Sequence, residues 1–196
     1  DNTFLRDEIP FNKSDTSGYG VTLNSFNYMR NTEYFNDIEL GRTLFGYQLQ
    51  PAFFYQANEH VRFQAGAFLQ NNFGETSPYL KVIPTFTLKI KKKNSSLLFG
   101  TLEGALSHQL IEPIYNIEYA ITRKIENGFQ YKYESSKQFF DIWINWQKFI
   151  ERGSPYKEAL TAGISNLSTL WSNESGFSVK LPLQFTVHHR GGQITT

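Results

Sequence analysis

The amino-acid sequence predicts an all-β protein: an antiparallel, up-and-down transmembrane β-barrel with about nine strands visible, forming part of a larger barrel. Apolar and polar residues alternate with a period of two in run after run. Most runs span about 10 to 13 residues, whereas soluble strands average ~5–6 and a tilted strand needs ~9–11 to cross a bilayer. Aromatic residues make up 16% of the chain and cluster at the ends of the runs, as in the aromatic girdles of membrane barrels.

The strands are read from this alternation. The clearest runs are 47–56, 61–70, 80–91, 139–150 and 177–189, and weaker alternation marks 18–30, 96–107, 126–134 and 159–171. Within 80–91, for example, Phe86 and Ile90 share the apolar face and Lys89 lies on the other. Helical spacing is plausible only at 117–125, which predicts a short loop helix.

The connections differ in length in a regular way. Short turns at 57–60, 92–95, 134–137 and 172–175 alternate with long loops at 31–46, 71–79, 108–125 and 152–158. Outer-membrane barrels have short periplasmic turns and long extracellular loops. We therefore expect the outer membrane as the location, with the long loops at the cell surface.

The strand count predicts an incomplete barrel. Nine strands is an odd number, whereas bacterial single-chain barrels have an even number. We expect residues 1–196 to form a single barrel domain or barrel segment, with 1–17 as an N-terminal extension. A self-contained eight-stranded barrel, closed by pairing 47–56 with 177–189, is the less favoured alternative.

Several segments resemble one family of proteins. They are 31–35, 41–51, 99–104, 107–113, 126–130, 143–147 and 188–194. These segments resemble the N-terminal half of a porin-like family of Bacteroidota outer-membrane β-barrels, most of whose members are uncharacterised. The resemblance implies the barrel fold, the outer-membrane location and a full length about twice that of this chain. It implies no catalytic residue.

Composition excludes several classes of function. With 19 basic and 18 acidic residues, the formal net charge is +1, so a strongly cationic nucleic-acid binder is excluded and we expect no nucleic-acid partner. The absence of Cys excludes disulfides, cysteine-ligated metal sites and a thiol nucleophile. No Gly-x-Ser-x-Gly elbow, phosphate loop or dinucleotide fingerprint is present. We expect no cofactor.

The histidines and loop carboxylates predict no catalytic or metal site. His188 and His189 are adjacent on a strand and point to opposite faces, so they cannot bind one ion. We interpret His60 and His108 as interfacial or pore-lining residues. Five carboxylates in the long loops have no metal-ligand spacing and are expected to be solvated: Glu33, Asp37, Glu39, Glu112 and Glu118.

The resulting hypothesis is a porin-like channel or plugged barrel for polar solutes, with a role in transport and no enzymatic activity. The residues expected to face the lumen and line the pore are Arg62, Gln64, Lys81, Thr85, Lys89, Glu103, Gln130, Lys132, Asp141, Asn145, Lys180 and Gln184. The expected partners are outer-membrane lipid and, through the long loops, other outer-membrane proteins or lipoproteins. The alternatives are an accessory subunit of an outer-membrane complex and a soluble glycan-binding β-sandwich.

Overall fold

The computed structural model describes residues 6–11, 17–35, 40–77 and 81–192. These residues form one antiparallel sheet of nine strands, ordered as they occur in the chain. The strands are β1 (Gly18–Phe35), β2 (Leu40–Gln56), β3 (Val61–Asn72), β4 (Lys81–Lys92), β5 (Ser95–Thr101), β6 (Asn127–Glu134), β7 (Gln138–Lys148), β8 (Glu158–Ser172) and β9 (Ser178–Gly191). The one α-helix among the described residues, α1 (Tyr119–Thr122), lies between β5 and β6.

Every strand pairs with its neighbour in the chain, which confirms the all-β, antiparallel, up-and-down prediction. Among the described residues the sheet is not closed, because β2 pairs with β1 and β3 and β9 pairs only with β8. The pairing of 47–56 with 177–189 therefore does not occur. The single continuous sheet also differs from the two packed sheets of a sandwich. Completion of a larger barrel stays a prediction.

Three predicted boundaries are corrected. Most of the predicted loop 31–46 is strand, because polar cross-strand contacts such as Thr43 Oγ1 to Asn31 Oδ1 at 2.8 Å extend the hairpin where apolar alternation stops. The predicted strand 96–107 ends at Thr101, where the chain leaves the sheet. The predicted loop helix is limited to α1. Residues 36–39, with Asp37 and Glu39, and residues 193–196 lie outside the described residues.

The two faces of the sheet are inverted relative to those of a soluble protein. On the outer face, Phe86 and Leu183 are 47% and 59% exposed. On the inner face, Gln130 and Asp141 are fully buried. Because apolar exposure of this extent is unusual for a soluble monomer, the outer face has the character of a surface in contact with an apolar environment. No helix in the described part of the chain is long and apolar enough to cross a membrane.

Two segments cover the inner face. The inner loop, residues 102–126, contains a 3-10 helix (Ala105–His108) and α1. Gln48 on β2 donates to the carbonyls of Ala120 and Ile121, both at 3.1 Å, and so holds α1 against the sheet. The N-terminal strap, residues 6–11, lies on the inner loop, where the amide of Asp7 donates to Ser107 Oγ at 2.8 Å. The inner face is therefore packed with protein in the described structure.

The exposed apolar side chains of the outer face predict that a new charge on this face destabilises the protein. In protein reconstituted in lipid, Phe86→Arg on the outer face should lower the free energy of unfolding by roughly 2–4 kcal/mol, because the guanidinium would replace an aromatic side chain against lipid. The matched control is Asn94→Arg in the exposed turn between β4 and β5, which should change stability little. Urea unfolding of both variants measures the difference. Equal effects would show that the outer face does not contact lipid.

Candidate active site

The first buried cluster surrounds Glu103, whose side chain is 1% exposed. Lys89 on β4 forms an ion pair with its Oε1, and Lys132 on β6 forms another with its Oε2 at 2.8 Å. The amide of Ile9 in the N-terminal strap also donates to Oε1, at 2.7 Å. Burial would raise the pKa of Glu103, but the two ammonium groups outweigh burial and lower that pKa. Glu103 is therefore ionised and ties strap, inner loop and sheet together.

The second buried cluster surrounds His108, which is 1% exposed. Its Nδ1 lies 2.8 Å from Asp141 Oδ2, and its Nε2 lies 3.3 Å from Glu126 Oε2. The imidazole stacks on the indole of Trp143, with ring centroids 3.7 Å apart and planes inclined by 14°. The ring is thus held at both nitrogens and on one face.

Strand periodicity explains why Asp141 and Trp143 meet at this site. Asp141 and Trp143 are two residues apart on β7, so both point to the inner face. Opposite Trp143 on β8 stands Gly163, where a Cβ would lie 2.4 Å from the indole ring. The absence of a side chain at Gly163 lets the indole lie flat over β8 and support His108.

The inner loop supplies His108 and Glu126. His108 is the last residue of the 3-10 helix, and the amide of Ala105 at the start of that helix donates to Glu126 Oε1 at 2.9 Å. Glu126 therefore fastens the beginning and the end of the inner loop to each other. Ala105 itself adopts a left-handed backbone with φ of 52°, which an alanine tolerates only where its surroundings enforce it.

Hydrogen bonding sets the charge of the His108 cluster. Burial would lower the pKa of His108, but its bonds to Asp141 and Glu126 raise that pKa to about 9. Burial would likewise raise the pKa of Glu126, but His108 outweighs it and lowers that pKa. At neutral pH an imidazolium therefore lies between two carboxylates. The two clusters together then hold three cations and three carboxylates: Lys89, Lys132, His108, Glu103, Glu126 and Asp141.

Gln130 on β6 connects the two clusters. Its Oε1 accepts from the amide of Glu103 at 3.1 Å, and its Nε2 donates to the carbonyl of Glu103 at 3.1 Å. The same Nε2 lies 2.9 Å from Asp141 Oδ2. Because Gln130 is completely buried, a shift at Glu103 would be transmitted through it to Asp141 and then to His108.

A cavity of about 520 Å³ opens beside the His108 cluster. Ile125 and Asn127, the two chain neighbours of Glu126, line it. Asn145 on β7 also lines it and accepts a hydrogen bond from the amide of Asn127 at 3.1 Å. The cavity thus gives a ligand of moderate size a place next to Glu126, whose side chain is 12% exposed.

The structure places the twelve predicted lumen residues in three environments. Eight are buried: Arg62, Thr85, Lys89, Glu103, Gln130, Lys132, Asp141 and Asn145. Gln64, Lys81 and Gln184 are half-buried and Lys180 is exposed. Six of the buried set belong to the clusters or line the cavity beside them: Lys89, Glu103, Gln130, Lys132 and Asp141 in the clusters, and Asn145 in the cavity wall. That any of the twelve lines a pore stays a prediction.

His108 is the residue that sequence reasoning missed. The expectation that it lies at an interface or lines a pore is wrong, because it is buried between Asp141 and Glu126. These partners are 33 and 18 residues away in the chain, so no local spacing indicates them. The one available signal is that Asp141 and Trp143, a carboxylate and an indole, share the polar face of a strand.

The other candidate residues have simpler surroundings. Glu118 forms an ion pair with Arg42 at 3.1 Å, and Glu33 accepts from Asn31 at 2.9 Å. His188 Nδ1 lies 2.9 Å from Thr161 Oγ1. Among the described residues, no group of three or more His, Cys, Asp or Glu side chains is arranged to hold a metal ion.

Removing the charge of Glu103 should destabilise the protein strongly. Glu103→Gln would leave Lys89 buried without a counter-charge and Lys132 with only the exposed carboxylate of Glu134, 3.4 Å away, so we expect it to lower the free energy of unfolding by roughly 3–5 kcal/mol. Glu118→Gln, which breaks the more exposed pair with Arg42, should cost only about 0–1 kcal/mol. Denaturant unfolding of both variants makes the comparison. A small and equal loss would mean that the Glu103 cluster does not hold the inner loop.

Comparison with known proteins identifies the family of this chain. A family model described as Lipid A 3'-O-deacylase-type matches residues 11–196, whereas no curated protein and no solved structure matches the chain. The match does not show the expected porin-like relation. Because the description is that of an enzyme family, the expectations of a non-catalytic porin-like channel and of a protein without enzymatic activity are wrong, and the accessory-subunit alternative is not favoured either. Since the match spans nearly all of the sequence, the chain belongs to the Lipid A 3'-O-deacylase-type family.

Proposed function

We propose that this protein is an outer-membrane esterase that hydrolyses the 3'-O-linked acyl ester of lipid A, with His108 as the general base. The observation that carries the proposal is the imidazole of His108, oriented by Asp141 at Nδ1 and directed with Nε2 toward Glu126, whose chain neighbours Ile125 and Asn127 line the cavity. A histidine whose orientation is fixed by a carboxylate is a recurrent base in acyl transfer. The family description supplies the ester and the substrate.

The two contacts of His108 suggest how the base becomes available. The Nε2 contact with Glu126, at 3.3 Å, is longer than the Nδ1 contact with Asp141, at 2.8 Å. Glu126 is also the more exposed of the two carboxylates, with a side chain 12% exposed against 0% for Asp141. Glu126 is therefore the partner that gives way, and a water molecule takes its place at Nε2 when substrate enters the cavity.

The reaction then follows from the chemistry of an ester. Neutral His108 removes a proton from the water at Nε2, and the water oxygen forms a bond to the acyl carbonyl carbon. The bond between that carbon and the sugar oxygen breaks, and the protonated His108 returns the proton to the leaving sugar oxygen. Asp141 keeps the Nδ1 proton in place and stabilises the imidazolium formed on the way. The products are a free fatty acid and the sugar hydroxyl.

The outer-membrane location is supported by the two faces of the sheet. The outer face exposes aromatic and aliphatic side chains, whereas the inner face carries the polar clusters. A wall of this kind lets an enzyme act on an acyl ester while the acyl chains stay in lipid.

Loss of the base should abolish deacylation. The variant His108→Asn, presented with lipid A in detergent micelles, should release fatty acid at least about a thousandfold more slowly than the wild type. The matched control is His60→Asn, because His60 lies in the exposed turn between β2 and β3 and should be dispensable. Mass spectrometry of the lipid measures the loss of one acyl chain. Retention of strand content by circular dichroism separates loss of the base from loss of the fold. An active and folded His108→Asn variant would refute the assignment.

The pH dependence of the rate tests the environment of His108. Because the base must be neutral and its pKa is raised to about 9, the rate should rise with pH and level off only above that value. Glu126→Gln removes one of the two carboxylates that raise this pKa, so the rising part of the profile should move to lower pH. Glu118→Gln, on the same loop but away from His108, should leave the profile in place. A rise centred near the ordinary histidine value of ~6.5 in the wild type would contradict this role.

A further inference from the structure

The cavity beside Glu126 has a strongly basic wall. Six of its lining residues carry basic side chains: Lys81, Arg123, Lys124, Lys148, His188 and Arg190. Within the part of the chain that the structure describes, no Asp or Glu lines the cavity. The whole chain has a formal net charge of only +1, so this is a local concentration of positive charge rather than a reflection of composition.

The fold brings these cations together from distant parts of the chain. Lys81 begins β4, Lys148 ends β7 and Arg190 lies near the end of β9. Arg123 and Lys124 follow α1 in the inner loop. Every one of these positions is at the end of the sheet where the long loops connect the strands, which is also the end where Glu126 lies.

Most of these cations lack a carboxylate partner among the described residues. Lys124 pairs with Asp7 at 3.2 Å. In contrast, Lys81 donates to the carbonyl of Thr122, and Arg123 and Lys148 lie over the rings of Tyr119 and Tyr156. Arg190 makes no ion pair within the described ranges.

The cations of the cavity differ from the other inward-facing cations in their lack of carboxylate partners. Lys89 and Lys132 share the carboxylate of Glu103, as described above. These two lysines stabilise the fold, and their charges are balanced by carboxylates. Cations grouped without a counter-charge repel one another and create a positive potential that attracts an anion.

We propose that this cavity binds a phosphate monoester on the sugar headgroup of the substrate. Lysine and arginine side chains bind phosphate oxygens by charge-assisted hydrogen bonds. At about 520 Å³ the cavity has room for a sugar together with its phosphate. The inference rests on the proposed function, since it names the part of the same substrate that is bound next to the ester.

The chemistry also accounts for the neutral polar residues of the wall. Asn127, which follows Glu126 in the chain, lines the cavity together with Asn145 and Gln147. Amide side chains of this kind suit the hydroxyl groups of a sugar ring. A phosphate held by Arg190 and Lys148 would therefore place its sugar toward Glu126, where the ester is attacked.

The test compares two triple variants with the same change of charge. The cavity variant is Arg123→Gln, Lys148→Gln and Arg190→Gln. The control variant is Lys91→Gln, Lys92→Gln and Lys93→Gln, at the exposed end of β4 and the first residue of the turn that follows it. Binding of lipid A micelles, of enzymatically dephosphorylated lipid A micelles and of inorganic phosphate is measured with the full chain in detergent. We expect the cavity variant to bind phosphorylated micelles at least about tenfold more weakly, and the control variant to stay within about twofold of the wild type.

Steady-state kinetics give a second readout. In the cavity variant KM for lipid A should rise about tenfold while kcat changes by less than about threefold, and the wild-type preference for phosphorylated over dephosphorylated lipid should disappear. Equal micelle binding by both triple variants would overturn the proposal. So would weakened binding of inorganic phosphate with unchanged micelle binding, which would identify a site for free phosphate only. If the wild type releases no fatty acid but the cavity variant alone loses micelle binding, the esterase proposal fails and the phosphate site stands.

Discussion

A carboxylate that is 1% exposed must be matched by donors, and Glu103 finds them on three separate parts of the chain. Lys89 and Lys132 come from β4 and β6, which both flank β5, and Ile9 comes from the N-terminal strap. Burying these charges is unfavourable by several kcal/mol per ion unless all of them are matched. The arrangement therefore permits one position of the inner loop, the one in which Glu103 lies between the two ammonium groups. Because β5 ends at Thr101, that position also fixes where the loop begins.

The side-chain amide of Gln130 connects Glu103 to the surroundings of His108 and so fixes their relative positions. Gln130 bonds to both polar backbone groups of Glu103 and to the carboxylate of Asp141, so its donors and acceptor leave no freedom for rotation. Asp141 in turn orients His108, and Trp143 supports the ring from below. Catalytic groups function when their own rotamers are held by surrounding hydrogen bonds and packing. The ion cluster and the candidate base are thus parts of one network, in which the first supplies rigidity and the second supplies chemistry.

Alternation of side chains was sufficient to predict the strands and their order, because the period of two is a property of each strand alone. Prediction from alternation failed where contacts between distant parts of the chain determine the structure. Polar pairs extend β1 and β2 through residues that lack apolar alternation, and β5 stops early because Glu103 turns into the buried cluster. His108 could not be recognised at all, since Asp141 and Glu126 approach it only after the inner loop has folded onto the sheet. The enzymatic character was missed for the same reason, as no contiguous motif encodes it.

The charges around His108 and those of the adjoining cavity are complementary in their effect on an anionic substrate. Around His108 the carboxylates of Asp141 and Glu126 would repel an anionic lipid if they stood alone. The imidazolium between them balances one of these charges, and the adjoining Glu103 cluster, with two lysines and one carboxylate, balances the other. In the adjoining cavity no cation other than Lys124 pairs with a carboxylate among the described residues. An anion approaching from the long-loop end therefore meets an attractive field at the cavity and no net repulsion at the base. Glu126 belongs to the first region, and its chain neighbours Ile125 and Asn127 line the second. The proposed base and the proposed headgroup site therefore adjoin at one short segment of the chain, and the charges are balanced on one side of it and left for an anion on the other.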